Sequence, residues 1–214
     1  MTNRVEYDLR KTASVLANAV RDGKYSSVVF ASASRGEGTT TVTLHVANLL
    51  AKREGLRPLV VEVNREKPRY AQLFHLDENR GLAFLAAEEA SLEQCIQTGP
   101  RGVPVIPAGR PEKAAYAGFD LASVLRRVIK GTQGRFDVVL VDAPALLADP
   151  DAWTVCSAVP RMVLVVRARR VSYDLLQRIK KEAEQTIPNF TLLGAILNRH
   201  RRYIPGWVDE WLLR

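Results

Sequence analysis

SSVVFASASRGEGTTTVTLHVANLL, residues 26 to 50, reads as a buried strand, a glycine-rich turn and the opening of a helix, in that order. Val28, Val29, Phe30 and Ala31 form an apolar run too short for a helix and rich in β-branched residues, which suits a strand covered on both faces. The chain then reaches Gly36 and Gly38, whose missing side chains let the backbone approach an anion closely. Successive N–H groups of such a turn point inward, and the positive end of the following helix dipole adds attraction. Strand, glycine turn and helix together make phosphate-binding geometry, with Gly36, Glu37, Gly38, Thr39, Thr40 and Thr41 as the cradle. Thr40 stands where a hydroxyl reaches Mg²⁺. Val42, Val46, Leu49 and Leu50 share one face of the helix, and Gly55 sits where it should stop.

Working outward from this segment, the same alternation repeats. Apolar runs at PLVVEV (58 to 63), FDVVLVD (136 to 142), RMVLVV (161 to 166) and LLGAIL (192 to 197) read as further buried strands, with another at VPVIPAG (103 to 109). LASVLRRVIK (121 to 130) and SYDLLQRIKKEAEQT (172 to 186) carry helical period, and residues 1 to 22 read as a leading helix. Strand and helix in alternation predict an α/β fold with a doubly wound, mostly parallel sheet. Ser91 with Gln94 has capping-box spacing, and Asp149 before Pro150 predicts a cap with proline at the first helical position. The 214 residues contain no linker or repeat, so residues 1–214 are expected to form one P-loop NTPase-like domain, ending in a basic, aromatic tail at 199–214.

Composition narrows the function classes. With 47% hydrophobic and 25% charged residues the chain is neither a disordered tail nor a collagenous repeat. No apolar run is long enough to cross a bilayer, and the first residues lack a signal-peptide core, so a cytoplasmic location is expected. Cys95 and Cys156 have no CxxC or Cys/His partner and read as buried small hydrophobes. Lys and Arg outnumber Asp and Glu by 31 to 23, a formal charge of +8. That excess implies a polyanionic neighbour, whether nucleotide, anionic lipid, polysaccharide precursor or DNA, and the sign alone does not choose among them.

Against the template GxxxxGK[ST], Ala33 replaces the first glycine and Thr39 replaces the lysine. The lysine matters more, because its ammonium touches the β- and γ-phosphates and stabilises charge during phosphoryl transfer. Arg35 either supplies a substitute cation or is a solvated loop arginine. At FDVVLVDAP four apolar residues precede Asp142, the pattern of an aspartate that holds Mg²⁺ directly or through water. Together with Thr40 it forms the expected metal site, at the carboxyl ends of strands where doubly wound sheets bind ligands.

These residues carry a resemblance. The chain is similar to the CpsD/CapB group of bacterial tyrosine kinases of capsule and exopolysaccharide export, within the MinD/ParA-like P-loop ATPases. GEGTTT resembles that family's GEGKST, and PLVVEVNREKP resembles its second acidic motif, usually LLIDADLRRP. GLAFL, VIPAG, FDVVLVDAP, VLVVR and LLGAILNR follow in the family's order and spacing. The resemblance implies ATP or ADP with Mg²⁺ as cofactors, Asp142 and the residues at 62 and 64 as the catalytic acids, and Asn198 as an adenine contact; an asparagine ending a strand also suits a turn. It further implies a membrane-embedded polysaccharide chain-length or export protein as partner, and a place at the inner face of the cell membrane.

The departures fall on the chemistry. Glu62 and Asn64 stand where the family has two aspartates, and an asparagine cannot accept a proton as a general base. Tyr203 is the only tyrosine after Tyr173, so the tyrosine-rich tail is missing. The family's EXXRXXR oligomerisation pattern is broken at Leu9 and Thr12 after Glu6, although a homo-oligomer is still carried as an expectation. The cellulose-synthesis ATPase BcsQ, also MinD-like, is similar in carrying GTTT in this loop and binds ATP. Trp207, Trp211 and Leu212 in the tail either grip a membrane surface or dock on the domain itself. Three functions follow: a nucleotide-binding regulator of exopolysaccharide synthesis or export with weak or no catalysis, an active ATPase or tyrosine autokinase of the same pathway, or a positioning ATPase that binds DNA or membrane. The exopolysaccharide-type ending NRHRRYIPGW favours the first over DNA.

Overall fold

The computed structural model describes residues 3–109 and 119–198. Its strands are β1 (Ser27–Ser32), β2 (Pro58–Glu62), β3 (Gln97–Thr98), β4 (Pro104–Ile106), β5 (Val138–Ala145), β6 (Arg161–Arg167) and β7 (Thr191–Asn198). They form a single sheet in the order β3-β4-β2-β5-β1-β6-β7. Every pairing is parallel except the short β3 against β4. The helices are α1 (Asn3–Arg21), α2 (Thr39–Glu54), α3 (Tyr70–Phe74), α4 (Leu82–Ala86), α5 (Leu92–Cys95), α6 (Leu121–Gly131), α7 (Asp151–Ala158) and α8 (Tyr173–Thr186). The doubly wound α/β reading is therefore what the structure shows.

The apolar runs are continuous because both faces of each central strand are covered. Val29 and Ala31 of β1 enter one core with residues of α4 to α8, while Val28 and Phe30 enter a second core under α1 and α2. Residues of β2, β5 and β6 divide in the same alternating way, as the two-residue period of a strand requires. β7 closes one edge, and only Ile196 of its residues is fully buried. Cys95 and Cys156 are buried free thiols, as read from the sequence. Among the described residues no helix is long and apolar enough to cross a membrane.

Local signals hold with small corrections. Gly55 ends α2 in the left-handed region at φ 67°, and Ser91 and Gln94 form both hydrogen bonds of a capping box. The helix after Asp149 begins at Asp151, one residue later than read: Pro150 has helical angles but no N–H, and Asp149 accepts from the Asp151 N–H at 2.9 Å. Strand β5 continues past Asp142 to Ala145, across a register shift that spans Pro144, a residue with no N–H for a ladder. Only Pro104–Ile106 of the stretch 103 to 109 joins the sheet, and the two-residue β3 is too short to show a period. The tail at 199–214, with Tyr203, Trp207, Trp211 and Leu212, lies outside the described residues.

The fold brings three adjacent carboxyl ends together. β2, β5 and β1 are neighbours, so the glycine turn after β1, Asp142 on β5 and the connection after β2 meet at one end of the sheet.

Candidate functional site

The glycine turn is built from backbone. Gly36 and Gly38 both have left-handed angles, φ 82° and φ 93°, which side chains rarely tolerate. Gly38 caps α2 without a side-chain bond, so the first-turn N–H groups of this helix of 16 residues are left for another partner. A Cβ on Gly38 would also collide with the amide of Asn198. Gly36, Gly38, Thr39, Thr40 and Thr41 line a cleft of ≈ 250 Å³.

Glu37 anchors this turn from behind. It is fully buried, and its two carboxylate oxygens accept from the backbone N–H groups of Ser34 at 2.7 Å and Arg167 at 2.9 Å. Its own carbonyl accepts from Nδ2 of Asn198 at 2.7 Å. One residue thus ties the turn to the ends of β6 and β7. The sequence reading set Glu37 and Asn198 among the nucleotide contacts; neither side chain is part of the cleft wall, because both are consumed in holding the loop.

Two acids lie side by side in the sheet. Asp142 and Glu62 are register partners across β5 and β2, and both are buried. Asp142 Oδ2 accepts from the Thr40 hydroxyl at 2.7 Å and from the Tyr70 hydroxyl at 2.9 Å. Burial pushes its pKa up to about 6 against these two donors. Burial likewise pushes Glu62 up to about 7, partly offset by backbone donors and reinforced by the charge of Asp142. Those donors are specific: Oε1 accepts from the N–H groups of Arg69 at 2.6 Å and Tyr70 at 3.2 Å, and Oε2 from that of Ala108 at 3.0 Å. Asn64, the other expected acid position, uses its Oδ1 to accept from the Lys67 N–H at 3.1 Å. Both positions therefore hold backbone, although each still lines the cleft.

Tyr70 was missed by sequence reasoning. It is completely buried, packs edge-on against Phe74 at 5.5 Å, and its phenol is pushed well above the ordinary range by burial and by both acids. It therefore remains a donor to Asp142. A tyrosine four residues before a phenylalanine reads as core, and only the need of a buried O–H for a partner signals the polar contact.

The cations complete the picture. Arg35 pairs with Glu66 and reaches the carbonyl of Ala148 at 3.4 Å, which links the glycine turn to the β2–α3 connection. Arg65 grips Asp151 through two hydrogen bonds of 2.5 Å and lies 5.1 Å from the ring centre of Phe119. Lys67 and Arg69 line the cleft. The residues fit Mg²⁺ with a polyphosphate: such a metal takes one or two protein oxygens and leaves the rest to phosphate and water. The Thr40 hydroxyl and the Asp142 carboxylate already meet at the point where both would serve it.

Comparison with known proteins bears on the fold. No family model matches the chain. It is 27% identical over 178 residues to the tyrosine-protein kinase YwqD of Bacillus subtilis, covering 83% of this chain and 73% of that protein. It is 26% identical over 200 residues to the tyrosine-protein kinase CpsD of Streptococcus agalactiae, covering 90% and 86%. The kinase domain of the Escherichia coli tyrosine kinase ETK superposes with a TM-score of 0.78 at 22% identity, covering 92% and 76%. The MinD protein of Pyrococcus horikoshii, solved with Mg-ADP, superposes with a TM-score of 0.67 at 23% identity, covering 86% and 76%. The homologues are thus named as bacterial tyrosine kinases, and the fold is that of their kinase domains and of MinD ATPases.

Proposed function

We propose that this chain binds Mg-ATP or Mg-ADP in the cleft at Gly36–Thr41 and regulates capsule or exopolysaccharide synthesis or export through conformation and contact, with phosphoryl transfer very slow or absent. The observation that carries the reading is the Thr40–Asp142 hydrogen bond beneath a glycine turn that keeps Gly36 and Gly38 and has Thr39 in place of lysine. The turn and the first turn of α2 bind phosphate through backbone N–H groups, and Thr40 with Asp142 holds the metal, which neutralises phosphate charge when bound. What is absent is the side-chain chemistry of transfer. A threonine hydroxyl does not replace an ammonium at the transferred group, and Asn64 cannot take a proton from an incoming hydroxyl.

The pathway role rests on the kinase homologues and on the motif order from GLAFL to LLGAILNR. In this reading the partner is a membrane-embedded chain-length or export protein, met at the inner face of the membrane, with a homo-oligomer as the assembled state. Calorimetric titration with Mg-ADP and Mg-ATP tests the binding claim. Wild-type protein should give saturable heat, and Gly38→Val should give none, because the new side chain blocks the turn. No heat and no thermal shift from wild-type protein at millimolar nucleotide would remove the proposal.

A further inference from the structure

The connection from Asn64 to Tyr70 has exchanged acid chemistry for held backbone, and what it holds are two basic residues. The Asn64 side chain fixes the N–H of Lys67, and the Glu62 side chain fixes the N–H of Arg69. Both basic residues line the same cleft as the glycine turn, and both are exposed there. Among the described residues neither side chain has a hydrogen bond or an ion pair. Two other cations of this region are already committed, Arg35 to Glu66 and Arg65 to Asp151. The Arg35–Glu66 pair joins the connection to the residue just before Gly36, and Lys67, next to Glu66, lines the same cleft as Gly36 to Thr41. A lysine is a compact charge on a flexible four-carbon stem, suited to reach a phosphate from a neighbouring loop.

We propose that Lys67, assisted by Arg69, supplies the counter-charge for the nucleotide's polyphosphate that position 39 no longer provides. In this chain the free charge stands on the β2 side of the cleft, where the resembling motif LLIDADLRRP also carries a basic residue before its proline. From there Lys67 would favour binding of the polyphosphate by its charge. This deepens the nucleotide-binding reading and rests on it.

The test compares ADP with adenosine, which lacks phosphate, on the full chain by calorimetry and thermal shift with Mg²⁺ present. If wild-type protein binds neither Mg-ADP nor Mg-ATP, the nucleotide-binding reading itself falls. Given wild-type binding, Lys67→Ala should weaken Mg-ADP about tenfold, and Lys67→Ala with Arg69→Ala by up to about 100-fold, the usual range for a charged hydrogen bond or two. Adenosine binding and melting temperature should not move, and Lys67→Arg should retain most of the affinity. Thr39→Lys placed in the double variant should restore the loss, because it returns the charge to the turn. Arg170 serves as the contrast, since its guanidinium lies 3.8 Å from the Cβ position of Gly36 but is not part of the cleft wall. An unchanged ADP affinity in the double variant would overturn the inference. So would an equal loss of ADP and adenosine binding, a failure of Thr39→Lys to restore, or a larger loss from Arg170→Ala than from Lys67→Ala.

Discussion

The two walls of the cleft are built on opposite principles. The glycine turn after β1 works through backbone: its left-handed glycines and helix N-terminus survive although the lysine, its one charged side chain aimed at phosphate, has gone. The connection after β2 works through side chains that hold backbone, with Glu62 on Arg69, Tyr70 and Ala108 and Asn64 on Lys67. The difference teaches that a turn written in the main chain keeps its form with a threonine at position 39, whereas the connection after β2 depends on side chains that hold its backbone. Under the proposed function, binding and turnover separate in this cleft.

The largest effect should come from removing the post behind the first wall. Glu37→Ala leaves the part-buried N–H groups of Ser34 and Arg167 without their acceptor, and each such group costs up to about 1–3 kcal/mol. A loss of about 2–5 kcal/mol in denaturant unfolding is expected, together with weaker nucleotide binding. A loss below 1 kcal/mol would show that the turn stands by itself.

Next comes the acid that the two walls share. The folded Asp142 has its pKa raised to about 6 from an ordinary 3.8, so between roughly pH 4 and 6 the folded state binds more protons than the unfolded state, and stability falls as pH rises through that window. Asp142→Asn keeps an acceptor for Thr40 and Tyr70 while removing the buried charge. It should raise stability at pH 8 by on the order of 1–3 kcal/mol and flatten this part of the pH profile. The same change should abolish the dependence of nucleotide binding on Mg²⁺. A variant that is less stable at pH 8 would mean that the charge is compensated in the fold.

Tyr70→Phe removes one of the two donors to Asp142 while keeping the ring against Phe74. About 1 kcal/mol of stability should be lost at pH 8 and less at pH 4, where the carboxyl is closer to neutral. The smallest effect belongs to Asn64→Ala, which frees the Lys67 N–H at an exposed turn and should cost about 0.5–1 kcal/mol or less. Its more telling readout is a severalfold weaker Mg-ADP affinity, since the position of Lys67 would no longer be held.

Much of the fold was legible because parallel strands covered on both faces must be continuously apolar, and β1, β2, β5 and β6 are. The glycine turn was legible for a similar reason, since phosphate binding by backbone demands glycine at set positions. The loop-holding bonds of Glu37 and Asn198 were not legible, because a residue inside a binding loop can point toward the ligand or away, and the spacing of a motif does not say which. Glu62 was assigned from the resemblance to the second acidic motif, but its N–H partners come from residues 69, 70 and 108, which only the tertiary fold brings together. Tyr70 signals only that a buried hydroxyl needs a partner, and not which one, because that partner lies 72 residues away on β5. β3 escaped because two residues show no period.

The separation of binding from turnover is tested most directly by following γ-labelled ATP on an excess of the wild-type protein with Mg²⁺, measuring both the label bound and its chemical form. The account predicts that label is captured and stays intact ATP over hours, with no phosphotyrosine on the chain. Capture followed within minutes by free phosphate or phosphotyrosine, or no capture at all, would contradict it.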